Sequence, residues 1–157
     1  MKSMKLSSER GQALILIALA AIGLFGMAGL AIDGSAKFSD RRHAQNAADT
    51  AALAGSLAKV NGDAQWKLSA IERADSNGYD NNLVSNTVTV YACNEPGSDC
   101  GTAYEGNPSF VKVVIVSHVN TYFARVVGID QTQNTVESLA KYFLNLAMNT
   151  SRLRPLK

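Results

Sequence analysis

The sequence predicts an α+β protein: a long N-terminal helix, transmembrane and then Ala-rich, followed by a small antiparallel sheet domain of about three strands with one or two helices. Three observations carry that prediction. The run Ala13 to Ile32 (ALILIALAAIGLFGMAGLAI) holds no charge and no strong hydrogen-bonding side chain; small residues recur at helical spacing from Ala44 to Ala58; and NTVTVYA (86–92) and FVKVVIVSHV (110–119) have strand character. The expected division is a leader at 1–12, a transmembrane helix at 13–32, a membrane-proximal helix at 33–60 and an α+β domain at 61–157.

A helix of roughly 20 residues, rising ~1.5 Å per residue, crosses the ~30 Å hydrocarbon layer of a bilayer. It also satisfies its own backbone polar groups, as an apolar solvent demands. A buried core helix is the bland alternative, but so long an uncharged run is rare in a soluble domain. The short leader carries Lys2, Lys5 and Arg10 against Glu9, which predicts a cytoplasmic N-terminus and an extracytoplasmic remainder. Lys37, Arg41 and Arg42 on the other flank weaken that asymmetry. A cleaved secretory signal is the main rival, with Gly29-Leu30-Ala31 as a passable cut site. Against it, the apolar run is long for a signal core and the helical pattern continues past the cut.

Gly23, Gly26 and Gly29 recur every third residue, a weak signal for close helix packing. Asp33, followed by Gly34 and Ser35, is too polar for the bilayer interior and marks the membrane exit, where it can cap a following helix. Beyond it, Ala44, Ala47, Ala48, Ala51, Ala54, Gly55 and Ala58 fall on one stripe at about 100° per residue. The stripe suits a close contact, either with the protein's own domain or with another molecule. Joined, the two helical lengths would make a rod of about 70 Å.

The blocks Glu9-Arg10-Gly11-Gln12, Gly29-Leu30-Ala31-Ile32-Asp33, Arg41-Arg42 and Gln45-Asn46-Ala47-Ala48-Asp49-Thr50-Ala51-Ala52-Leu53-Ala54-Gly55 resemble the N-terminal region of TadE/TadG-like proteins of Flp (tight adherence) pilus systems. The last block is the specific one, and the resemblance covers about the first 60 residues. Tyr122 to Gly128 (YFARVVG) resembles an aromatic segment that such proteins often carry near their C-terminal strands. The TadE branch carries a glutamate five residues after its peptidase cleavage site; counted from Gly11, that position is Leu16. The resemblance is therefore closer to the TadG branch, although 157 residues leave no room for the long metal-binding adhesion-type domain of many TadG proteins. It implies a single-pass protein of the bacterial inner membrane. The implied partners are the membrane, other pilus-assembly or envelope proteins and further copies of the chain.

Asp63 is placed to cap a helix over 64–77 that Gly78 ends, with Trp66, Ala70, Ile71 and Ala74 on its apolar face. In 86–92, Val88 and Val90 alternate with Thr87, Thr89 and Tyr91, as in a half-buried strand. The run 110–119 is apolar on both faces and reads as the central strand. Thr121 to Val127 reads as one or two helical turns stopped by Gly128. The segment 135–143 alternates loosely and is favoured as a third strand, although Val136, Leu139, Ala140, Phe143, Leu144 and Ala147 also make a helical face. A frayed tail carrying Arg152, Arg154 and Lys157 follows.

Cys93 and Cys100 flank a turn-rich stretch, and outside the cytoplasm a disulfide is the natural expectation; two free thiols are the alternative. Closing so short a loop is worth about 2.5 kcal/mol in the chain-entropy model. Neither His43 nor His118 lies near the cysteines, and no second Cys pair suggests metal. His43 is expected to be solvated, His118 to be a satisfied structural histidine, and Glu95, Asp99 and Glu105 to decorate a solvated turn. No phosphate loop or nucleophile elbow appears, so neither an enzyme nor a cofactor is expected. A net charge of +2, without basic runs interleaved with aromatics, does not suggest nucleic acid. The favoured role is a membrane-anchored pilus-assembly or envelope scaffold. Its rivals are a tethered binding module that uses the cystine loop and a pilin-like filament subunit.

Overall fold

The computed structural model describes residues 8–142. Residues 1–7 of the leader, residues 143, 144 and 147 of the alternative helical face and the basic tail lie outside the described residues. In order, the elements are helix α1 (Ser8–Val60), helix α2 (Trp66–Asp75), strand β1 (Asn86–Ala92), strand β2 (Phe110–Asn120), the 3-10 turn η1 (Ala124–Val127) and strand β3 (Gln131–Lys141).

Two compact units share these elements. One takes α1 as far as Ser39 together with Val119–Thr132; the other takes Asp40–His118 together with residues 133–142. The first holds the apolar run. Its large side chains are exposed from Leu14 to Ile32, as in Leu19 (61%) and Phe25 (74%), and α1 is long and apolar enough to cross a membrane.

The two helical lengths join, and α1 is continuous through Asp33-Gly34-Ser35. Ser35 spends its hydroxyl on the Ile32 carbonyl (2.8 Å), a bond compatible with the helix, and one glycine costs a helix only about 1 kcal/mol. Asp33 therefore caps no following stretch of this helix.

In the second unit the sheet has the order β1-β2-β3, so β2 is central as expected. β1 and β2 are antiparallel, with Val88 opposite Ile115, Val90 opposite Val113 and Ala92 opposite Val111. β3 runs antiparallel to β2. The Thr121 N–H bonds the Asp130 carbonyl at one end, and the Tyr142 N–H bonds the Ser109 carbonyl at the other. The ambiguous third segment is thus a strand, with Asn134, Val136 and Ala140 turned inward.

Valines and Ile115 of the sheet meet Ala44, Ala47, Ala48, Ala51 and Ala52 of α1 and Ala70 and Ala74 of α2 in one core, flanked by Trp66, Ile71 and Tyr142. α2 is shorter than expected because the Asp63 carboxylate takes the Gln65 N–H (2.8 Å) before the helix begins. The turn after α2 closes through Gly78 at φ +87°, which returns the Tyr79 N–H to the Ala74 carbonyl.

Candidate functional site

Among the described residues, no group of three or more His, Cys, Asp or Glu side chains could hold a metal ion. What the fold builds are two carboxylate joints on α1, one in each unit.

In the first unit, Asp33 accepts N–H bonds from Tyr122 (2.8 Å) and, on its other oxygen, from Phe123 (3.0 Å) and Ala124 (2.7 Å). These are the donors that a helical turn leaves unpaired at its start. Phe123, at the N-cap of η1, offers no capping side chain of its own, so a residue some ninety positions earlier supplies the cap. The Tyr122 N–H contributes most to holding the Asp33 carboxyl below the usual carboxylate range, with Ala124 and Phe123 adding to it. One turn earlier, a Cβ on Gly29 would fall 2.6 Å from Cγ of Phe123, so only glycine lets the ring lie on the helix. η1 ends at Gly128 in the left-handed region (φ +86°), as the sequence suggests, and Thr121 donates its hydroxyl to the Ile129 carbonyl.

In the second unit, Asp40 is the joint. One carboxylate oxygen accepts the Tyr79 hydroxyl (3.2 Å), while the other accepts the Ser117 hydroxyl and the Asn134 amide (2.7 Å). One side chain thus ties α1 to the turn after α2, to β2 and to β3. Ser117, Asn134 and Tyr79 are almost completely buried. Burial foremost, then the Asp40 charge, raises the Tyr79 phenol above its ordinary value.

Further along α1, Gln45 donates to the Glu137 carbonyl (3.0 Å) and Ser56 to the Ala140 carbonyl (3.4 Å), both on β3. Nothing local in the sequence marks Asp33, Asp40, Gln45 or Ser56 for these roles, because every partner is distant in the chain.

The expected packing residues divide sharply. Ala44, Ala47, Ala48 and Ala51 are fully buried in the core of their own unit and Gly55 is buried with them, whereas Ala54 and Ala58 are half-buried. A Cβ on Gly55 would sit 3.0 Å from that of Ala70, which shows how closely α1 and α2 approach. Ala52 and Ser56, outside the expected stripe, are also buried. Gly23 and Gly26 face open space; Gly29 alone of the three glycines makes a close approach. Leu53 and Leu57 stay about 63% exposed and, with Thr50, Ala54, Arg73 and Asn77, line a shallow groove.

Cys93 and Cys100 are disulfide-bonded, with Cα atoms 5.6 Å apart. The loop they close is more organised than a solvated turn. Glu105 accepts the Ser98 hydroxyl (3.0 Å) and the Cys100 N–H (2.8 Å), Glu95 pairs with Lys67 (2.6 Å), and Lys112 donates to the Asp99 carbonyl (2.6 Å). Lys112, hidden in an apolar run, is buried in β2 and also meets Glu137 at 2.9 Å.

His43 is exposed as expected, but its Nε2 lies 2.8 Å from the Asn77 carbonyl and its ring 5.6 Å from that of Tyr79. His118 departs from expectation: its side chain is exposed at the end of β2, because alternation along the strand turns its buried neighbour Ser117 inward instead.

Residues 11–65 match a family model described as putative Flp pilus-assembly TadE/G-like. No curated protein and no solved structure matches the chain. The matched segment contains the apolar run, both carboxylate joints and the whole alanine stripe. The match falls on the same TadE/G-like family that the motifs of this region resemble.

Proposed function

We propose that this chain is a single-pass scaffold of Flp pilus assembly, anchored in the inner membrane with its sheet domain outside the cytoplasm. It acts without catalysis, through contacts with other pilus-assembly or envelope proteins. The observation that carries this reading is that the family-matched segment holds an exposed apolar helix long enough to cross a membrane. Almost nothing of the apolar stretch is covered by the protein itself, so lipid is its natural solvent. The cystine supports an oxidising compartment for the sheet domain.

Helix packing here has two parts. The alanine stripe is used within its own unit, which leaves the exposed Leu53 and Leu57 beside Arg73 as the better partner surface. Leu16, where a TadE-type processed subunit would carry glutamate, supports the TadG-like branch and an unprocessed leader.

The test combines sided labelling with the mass of the mature N-terminus. A cysteine placed at Glu72 should react only from outside the cytoplasmic membrane, and the purified chain should retain its leader through Gln12. Reaction only from the cytoplasm overturns the orientation. Loss of the leader at Gly11 moves the protein to the filament-subunit class.

A further inference from the structure

The turn that Asp33 holds is apolar where a water-facing turn would be polar. Tyr122 is 71% exposed, Val126 87% and Val127 77%, and Phe123 and Ile129 are each nearly half exposed. Contiguous exposed apolar side chains mark a surface that meets something other than water. Their position says what. Phe123 lies on Gly29, in the last turn of the uncharged run, and Asp33 grips the start of η1 one helical turn later, about 6 Å along the axis. On the same stretch of α1, Met27 and Leu30 are 73% and 74% exposed. The apolar surface of the turn is therefore continuous with that of the candidate span, at the span's end.

The turn's backbone is also prepared for a poorly hydrated site. Asp33 takes its first N–H groups, and the N–H groups of Gly128 and Ile129 return to the carbonyls of Arg125 and Ala124. Unpaired, each would cost free energy in an apolar medium. Tyr122 has the amphipathic ring enriched at bilayer interfaces, and Arg125, paired with Asp130 at 3.2 Å, has a stem long enough to keep its charge in the headgroups.

We propose that Tyr122–Ile129 is a lipid anchor, with Tyr122, Val126 and Val127 entering the boundary between headgroups and acyl chains in the leaflet where the 13–32 helix ends. The anchor rests on the span described under the proposed function, and its test separates the two. The described residues contain no free cysteine, so a single nitroxide can be attached to Val126→Cys, Leu19→Cys or Glu72→Cys with the native cystine intact. Each full-length protein is reconstituted into phosphatidylcholine–phosphatidylglycerol vesicles, and collisions with dissolved oxygen are compared with those with a water-soluble nickel chelate.

Oxygen should dominate at 19 and at 126, and nickel at 72. Nickel dominating at 126 while oxygen dominates at 19 overturns the anchor and leaves the span standing. Nickel dominating at 19 overturns the span and the anchor together. Protection from both reagents at 126 means that protein, a partner or a second copy, covers the turn, and this also overturns the lipid assignment.

Discussion

Replacing Asp40 by alanine should loosen the second unit more than any other single exposed-to-buried contact on α1. The carboxylate serves three donors, Tyr79, Ser117 and Asn134, each 3–4% exposed or less. A buried donor that loses its acceptor costs about 1–3 kcal/mol. Asp40 itself is only half-buried, so water can reach part of the vacated space and each loss belongs at the low end of that range. The Tyr79 hydroxyl keeps the Asp40 backbone carbonyl (3.3 Å), so only Ser117 and Asn134 lose the carboxylate and the sum is about 2 kcal/mol. For a domain of this size the melting temperature should fall by roughly 8–16 °C. Trp66, the single tryptophan, packs partly buried against the core of the same unit, so its fluorescence in detergent-solubilised full-length protein reports this transition. Asp40→Asn should recover part of the loss, since its amide oxygen can still accept from Ser117 and Asn134 while the Tyr79 hydroxyl can turn to accept from its amide nitrogen. Asp49→Ala, which removes only the exposed bond from Gln45, should change stability by about 0.5 kcal/mol or less. If Asp40→Ala melts with Asp49→Ala, the three-way joint carries no stability and the reasoning fails.

Ala48→Leu, at a fully buried position, should destabilise the same transition by about 1–3 kcal/mol through overpacking. Asn46→Leu on the exposed face should change it by about 0.5 kcal/mol or less, and equal behaviour of the two refutes packing by the stripe. Cys93→Ser with Cys100→Ser should cost about 2.5 kcal/mol, and the exported, unreduced wild type should resist alkylation until reductant is added. Asp33 titrates below its ordinary value, so its hold on η1 should be fully present above the unfolded aspartate value of about 3.9 and be lost as pH falls through the folded one. Hydrogen-exchange protection of the Tyr122 and Ala124 amides should drop across that acid range; protection that stays constant through it refutes the joint.

What could be read from the chain is what local pattern decides. Alternation of Val88 and Val90 with threonines defines β1 to the residue, and Gly78 and Gly128 stop their helical turns because the backbone there must enter the left-handed region. The cystine follows from two cysteines seven apart in a turn. The roles that local pattern did not show all have distant partners. Asp33 reads as a cap for the helix that follows it because nothing near it hints at Tyr122 and Ala124. Lys112 disappears inside an apolar run because the Asp99 carbonyl and Glu137, which satisfy it, come from a loop and another strand. The segment at 135–143 was ambiguous because Val136 and Ala140 fit both periodicities. Bonding to β2 and the inward turn of Asn134 toward Asp40 make it a strand.

The alanine stripe explains why those distant polar bonds are needed. Buried methyl groups contribute little area each, and the stripe nearly repeats itself after four residues: Ala44, Ala47 and Ala48 would be replaced by Ala48, Ala51 and Ala52. A slide of α1 by four residues, about 6 Å, would therefore present almost the same apolar surface to the sheet. The polar partners do not repeat. Asp40 meets Asn134, Gln45 meets the Glu137 carbonyl and Ser56 meets the Ala140 carbonyl, in ascending order along both α1 and β3. The same slide would put Ala44 where Asp40 stands and Asp49 where Gln45 stands, taking the Asp40 carboxylate from Ser117 and Asn134 and leaving the Glu137 carbonyl facing a carboxylate. Alanine permits the close approach, and the polar bonds select one register from those that alanine permits.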